Sequence, residues 1–584
     1  MLKSKFNFSV LGFFVGASLL LVAPAFAADS PAYFYVDPTY DSARRTELQA
    51  DLLFVTDHAY VYVEHDWWKT LTAAQADSYQ QAIQNLSNEF NQRIYPLMTM
   101  ELGSEWKPGI DNDERLTIFV TRLSEGVAGY FNSVDEISRS RLPNSNQREM
   151  LYLSMSFLGS DRLKAFLAHE FQHLITYNWK TQKQNLYEDT WLNEARSEYA
   201  PTLMGYDDSW DGSNLSRRVE EFENSPSDSL TEWKNNFADY GVANIFVQYL
   251  VDHYGKNILK LTLQNNGIGI PSVNSALATS GQTKTFSDVF TDWSVASYLN
   301  DCSVAPANLY CFLNRNLPYS RLHVSLSLAK EGDSVSQSSL AKDWAAYWYQ
   351  VDYMLASKVL KVSFSSGDSR AAFRLPYILV HNNGTKEVKE VVLQKTSTGE
   401  NTTFYINGFG KDIVSAVFIP HNEYKTTGFS AEETGVPYRL DFSLVSSMPE
   451  EPILQPTEPV SPTVTKPDIP DGSLIRQQGD YKVYVIKGNY KRWILSPAIM
   501  GMYPHFLWTF VREVSASEFS YYQDAWLVRA DGDTKVYEIN GDGTKHWLNM
   551  TPDWFAQSGR KWDMVYVINK QERDWYRTGA EVLR

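Results

Sequence analysis

Residues 160–199 read SDRLKAFLAHEFQHLITYNWKTQKQNLYEDTWLNEARSEY, and at their centre stands His169-Glu170-Phe171-Gln172-His173, an HExxH string. Leu163, Phe166, Leu167, Phe171, Leu174 and Ile175 recur near a 3.6-residue period, which predicts a helix. Ser160 is the expected cap, and Asp161 in the first turn suits the positive end of the helix dipole. Two histidines four apart on one helical face can grip a single ion. Zinc accepts neutral imidazole nitrogens and carboxylate oxygens, and a catalytic zinc keeps one position open for water. Glu170, beside His169, can reach that water without ligating the ion. A third ligand must come from elsewhere. Trp191, Leu192, Ala195 and Tyr199 predict a second packed helix, on which Glu194 and Glu198 are four apart and point the same way. Glu194 is the expected ligand. Glu198 is expected to accept the free ring N–H of a zinc-bound histidine. Glu188 and Glu198 are the rival carboxylates for the ligand position.

HExxH followed by Trp191-Leu192-Asn193-Glu194 resembles the gluzincin metallopeptidases, and Asn193–Glu198 (NEARSE) is similar to the thermolysin-type NExxSD string. That resemblance implies a zincin-like fold, Glu194 as ligand and Glu198 in the acidic place behind a histidine. The run His169–Lys180, with Gly126–Phe131 and Asn146–Met155, looks most like the hyicolysin-type secreted bacterial peptidases, over about residues 50–300. There are departures. The interval from His173 to Glu194 is slightly longer than in thermolysin-type enzymes, and Glu198 replaces the usual Asp. The metzincin pattern fails, because Trp179 stands where its third histidine would be. Tyr240, followed by Gly241 at the head of a predicted helix ending at Gly255, looks like the oxyanion-stabilising tyrosine of aminopeptidase-type gluzincins; His253 is the rival donor. In zincin-type enzymes a strand before the zinc helix forms the sheet edge that pairs with extended substrate, and Met150–Met155 sits where that edge is expected.

Upstream, residues 1–27 read as a secretory signal peptide. Lys3 and Lys5 are the positive region, Leu11–Val22 the apolar run and Ala25-Phe26-Ala27 the cleavage site, so the mature chain is expected to begin at Ala28 and to be secreted. No other stretch is long and apolar enough to span a membrane. A chain of 584 residues calls for several domains, and a net charge of −16 argues against a nucleic-acid partner. Cys302 and Cys311, the only cysteines, can close a short disulfide loop in an exported protein. Leu116–Thr121 predicts a buried strand, and the acidic turn Asp111–Glu114 is a candidate calcium site that lacks a full oxygen-ligand pattern.

The expected organisation is multidomain: an α+β zincin-like catalytic domain over residues 28–319, a β-sandwich-like domain over 320–447, a Pro/Thr-rich linker over 448–472, and a tandem-repeat α+β region over 473–584. The sandwich is expected from short alternating runs separated by turns such as Asn382-Asn383-Gly384. The repeat is visible as Leu474–Ile486 against Leu527–Ile539 and Lys491–Ile494 against Lys545–Leu548, with Val582–Arg584 like the start of a third copy. Its modules resemble those of bacterial surface proteins, and Trp493 and Trp547 read as core pins or sugar-stacking platforms. The expected activity is zinc-dependent endopeptidase hydrolysis of protein or peptide substrates. The alternative is a cell-surface protein that binds cell wall or glycan through its repeats, with the zinc domain structural or latent.

Overall fold

The computed structural model describes residues 32–584 apart from 318–321, 323–325, 328–331, 355, 397, 426–434, 449–466, 468, 479, 481, 542, 559 and 584. The expected signal peptide and most of the expected linker lie outside the described residues. The chain divides between residues 449 and 450 into two compact units.

The first unit opens with a six-stranded sheet: β1 (Ala32–Tyr35), β2 (Glu47–Val55), β3 (Ala59–Glu64), β4 (Leu116–Thr121), β5 (Gly129–Phe131) and β6 (Met150–Ser154), in the order β1-β2-β3-β4-β6-β5. β4 runs parallel to both neighbours and every residue in it is buried, as its unbroken apolar and β-branched run requires. On one face Val61, Val63, Ile118, Val120, Leu151 and Leu153 join the main core; on the other, Phe34, Phe119, Tyr130 and Tyr152 form a smaller cluster. β6 is not the sheet edge expected from the sequence. The Gly126–Phe131 run folds back so that β5 pairs antiparallel with β6 (Gly129↔Leu153, Phe131↔Leu151) and takes the edge itself.

Among the described residues of this unit, ten α-helices follow or interleave the strands: α1 (His65–Lys69), α2 (Ala73–Glu89), α3 (Tyr95–Leu102), α4 (Arg162–Thr176), α5 (Thr190–Leu203), α6 (Asn214–Asn224), α7 (Phe237–Tyr254), α8 (Asn257–Gln264), α9 (Gly269–Thr279) and α10 (Phe286–Leu299). α4 carries the HExxH string and packs Leu167, Phe171 and Leu174 into the core. Ser160 does not cap it: Asp161 is the N-cap residue in helical conformation, and the Ser160 hydroxyl donates to the Phe157 carbonyl. α7 is capped by Asn236 through a box with Asp239 and stops at Gly255, whose φ of 76° favours a residue without a side chain. Cys302 and Cys311 form a disulfide just beyond α10.

The β-rich region comprises β7 (Leu326–Ser327), β8 (Ser334–Ala341), β9 (Tyr349–Asp352), β10 (Lys358–Ser366), β11 (Phe373–His381), β12 (Lys386–Val391), β13 (Gln394–Thr396), β14 (Gly399–Phe409), β15 (Ile413–Phe418), β16 (His421–Asn422) and β17 (Val436–Val445). Two largely antiparallel groups, β13-β14-β10-β17-β8 and β12-β11-β15-β9, meet at a single pairing, Phe409↔Ile413. Leu360, Val362 and Phe364 of the first group share a core with Leu375, Leu379 and Phe418 of the second. The other face of the second group is buried too. Ile378, Val417 and Ile419 join the core of the helical region, and His421 faces Thr291 of α10 with Nε2 3.1 Å from its hydroxyl.

In the second unit each repeat is a three-stranded meander closed by strands that return in parallel. Leu474–Gln477 pairs with Arg512–Val514, and Leu527–Ala530 with Val565–Ile568. Val582–Leu583 adds to the second sheet beside Leu548–Asn549. Trp493 and Trp547 are neither fully buried pins nor open platforms: Lys482 and Lys535, at matching repeat positions, lie 4.7 and 3.9 Å over their rings. Among the described residues of this unit the most exposed indoles are Trp508 and Trp562, each 56% exposed and 54 residues apart in the chain, ahead of Trp554, Trp575 and Trp526. Among the described residues no helix is long and apolar enough to cross a membrane.

Candidate metal centre

Helical spacing brings His169 and His173 to one edge of α4, and α5 packs across it to present Glu194. The two Nε2 atoms stand 3.2 Å apart, and Glu194 Oε2 and Oε1 lie 3.4 Å and 3.6 Å from those of His169 and His173. Among the described residues this is the one group of three ligating side chains close enough to share an ion. The distances fit that role. A tetrahedral ion with ligands at about 2.0–2.1 Å sets its ligand atoms about 3.3–3.4 Å apart. Glu194 Oε2 is also buried with no hydrogen-bond partner, as an oxygen reserved for an ion would be.

The outer nitrogens are held as metal-bound imidazoles require. His169 Nδ1 lies 3.4 Å from Glu198 Oε1, and His173 Nδ1 lies 3.2 Å from Ser197 Oγ. Glu198 is itself fixed from three sides. Arg218 donates through Nε and Nη2 at 2.8 and 2.7 Å, Asn214 at 2.8 Å and Asn244 at 3.2 Å. Burial alone would raise its pKa; the Arg218 guanidinium overrides this and holds the carboxyl down at about 2.

Glu170 is buried beside the pair. Burial pushes its carboxyl up to about 7, with Glu194 and Glu198 adding and His169 opposing. The edge strand closes over it: a Cβ on Gly129 would lie 2.8 Å from the Tyr152 carbonyl and 3.1 Å from Glu170 Cγ, so this close approach needs glycine. The resulting cleft, about 550 Å³, is lined by the three candidate ligands, Glu170, Glu198, β5, Tyr40, Phe166, Arg217, Arg218 and Tyr240. Glu198 is neutralised by Arg218, whereas Glu194 faces the two imidazoles with no guanidinium or ammonium paired to it among the described residues, so the point between the three side chains favours a cation.

Tyr240 lies in this cleft. Its hydroxyl donates to Asn235 Oδ1 at 3.0 Å, and the Arg218 guanidinium lies 4.5 Å over its ring. Burial and the carboxylates of Glu194 and Glu198 push its pKa up, so the phenol keeps its proton. His253 does not reach the cleft. It sits near the far end of α7, Nε2 3.0 Å from the Cys311 carbonyl. Glu188 is removed from the ligand position by Arg196, 2.9 Å away in a buried ion pair. At Asp111–Glu114, Asp113 accepts from the Tyr60 hydroxyl at 2.8 Å and faces Arg115, and the turn's carboxylates are not among the groups of three that close on one point.

Ser197, Asn214, Arg217, Arg218, Asn244 and Tyr40 are the site residues that the sequence did not single out. Only Ser197 carried a local signal, its place inside the NEARSE string; the others arrive from distant parts of the chain.

The neutral metalloprotease ShpI of Staphylococcus hyicus is 27% identical over 218 residues, covering 32% of this chain and 47% of that protein. The alignment thus spans just under half the length of that relative, and it supports a relationship to metallopeptidases. No family model matches the chain. Among solved structures, a Yersinia pseudotuberculosis-derived mitogen aligns at 11% identity over 20% of this chain and 92% of its own, with a TM-score of 0.14. The pre-peptidase C-terminal domain of a Bacillus anthracis collagenase aligns at 9% identity over 21% and 94%, with a TM-score of 0.13. Likenesses at that score carry no argument.

Proposed function

We propose that this chain is a secreted zinc metalloendopeptidase of the gluzincin type, with a zincin-like catalytic region over residues 28–319. The observation that carries the reading is the near-tetrahedral spacing of His169 Nε2, His173 Nε2 and the Glu194 carboxylate. These three would hold the zinc, which when bound supplies a Lewis acid for the scissile carbonyl and a water of lowered pKa. Glu198 and Ser197 orient the two imidazoles by accepting their Nδ1 protons. Glu170 takes the proton of the attacking water and passes it to the leaving amine. The outer edge of β5 pairs with extended substrate backbone, and the Tyr240 phenol, turning its one proton from Asn235, donates to the oxygen that gains charge as the carbonyl becomes tetrahedral.

The test is Glu170→Gln. Removing the base should lower kcat by about 10²–10⁴-fold while zinc content and the unfolding transition stay as in the wild type. Unchanged turnover would overturn the mechanism. Matched exposure of Trp508 and Trp562 supports a second role, retention on cell wall or glycan through the repeats. The full chain with both changed to Ala should then lose retention on insoluble cell walls while keeping casein hydrolysis.

A further inference from the structure

Arg217 is a cation of the cleft with no carboxylate bound to it among the described residues. Its one hydrogen bond there is from Nη2 to Asn214 Oδ1 at 2.7 Å, and its Nε is buried without a partner. Its neighbour Arg218 is in the opposite condition, spending its donors on Glu198 and Glu221. After burial, the strongest electrostatic influences on Arg217 are the neighbouring Arg218 guanidinium and the carboxylates of Glu198 and Glu221, both committed to Arg218, with the Arg162 guanidinium behind them. Arg217 sits beside a flat apolar surface: the Phe166 ring lies 6.0 Å from the Arg217 guanidinium and 5.5 Å from that of Arg162. A half-buried guanidinium without an anion is costly, and its planar fork matches a carboxylate. Asn214 also donates to Glu198, so the fork is tied through one side chain to the group that orients His169.

We propose that Arg217 is a specificity residue that binds a substrate carboxylate, so that peptides carrying Asp or Glu beside the scissile bond are favoured. The inference rests on the endopeptidase reading above.

The experiment uses the full zinc-loaded chain and pairs of fluorogenic peptides, alike except for Glu or Gln at each position flanking the cleaved bond. Each pair is made with a free and with an amidated C-terminus. Wild type should favour Glu at one flanking position by about 10- to 100-fold in kcat/KM. Arg217→Gln should bring the ratio to near one and Arg217→Lys to an intermediate value, with zinc content unchanged in both. The same Glu-over-Gln ratio should appear in the Kd of uncleaved peptides for the Glu170→Gln protein. A free-over-amidated preference in place of the Glu-over-Gln one, lost in Arg217→Gln, supports the carboxylate site with the chain terminus as its source. Wild-type ratios near one in both comparisons, or a ratio that survives Arg217→Gln, overturn the proposal. Selective binding by Glu170→Gln without cleavage of any peptide by wild type would instead overturn the endopeptidase reading and leave the carboxylate site standing.

Discussion

Changing Arg218 to Met tests whether the network behind the metal centre is built for the ion. Arg218 is buried, and it makes two of the four side-chain hydrogen bonds that fix Glu198. With Arg218 in place the Glu198 carboxyl is held at about 2, against an ordinary 4.5, although burial opposes this. Both groups are buried, so the difference converts with little solvent screening to about 3 kcal/mol near pH 7. That agrees with the range of about 3–5 kcal/mol for removing one partner of a buried ion pair. The sign follows from the lowered pKa: the contribution is fully present above about 4.5 and is lost as pH falls through about 2. Urea unfolding of the zinc-free proteins should therefore show a gap of about 3 kcal/mol at pH 7 that narrows below pH 4. Glu198 without its partner also orients His169 less well, so zinc affinity should fall by about 10- to 100-fold in competition with a chromogenic chelator. Unchanged zinc affinity with the stability loss present would show the pair to be structural only. No change in either would refute the network.

Two further outcomes follow from named contacts. Glu64 joins Arg45 and Arg122 and accepts from Thr121 Oγ1 at 2.9 Å, and despite burial the arginines hold it at about 2. Glu64→Gln should cost on the order of 3 kcal/mol at pH 7 in thermal or urea unfolding. It should also flatten the acid limb between pH 5 and 2, where the wild type loses this pair; an unaltered acid limb would contradict the assignment. Gly129→Ala places a methyl 2.8 Å from the Tyr152 carbonyl. That should push β5 off Glu170 and lower kcat/KM on casein-derived peptides by about 10–100-fold with zinc content intact. Wild-type kcat/KM would show that the edge strand does not position substrate.

Much of the metal centre is legible in local spacing. His169, Glu170, His173 and Glu194 sit on helices whose apolar periods run unbroken, so the face they share follows from the helical repeat. The β4 strand is equally plain, since its six buried residues leave no polar face. The edge strand was misread because Gly126–Phe131 and Met150–Ser154 are both apolar runs, and composition does not encode which pairs outermost. The Ser160 cap failed because its hydroxyl turned back to Phe157. Arg218, Asn214 and Tyr40 bear no spacing relation to the HExxH string and reach it only through the packing of α6 and of the turn after β1. The shared core of β11 and α10 was hidden for a related reason. A strand buried on both faces loses the alternation that would mark a free sandwich, and β11 is buried at six of its nine positions.

The central claim is that His169, His173 and Glu194 hold a zinc ion that makes this chain a peptidase. The most direct measurement is metal content together with casein hydrolysis on the purified protein, before and after chelation and after zinc is returned. The account predicts one zinc per chain, loss of cleavage with its removal, and recovery with its return. No zinc uptake, or cleavage indifferent to the chelator, would contradict it.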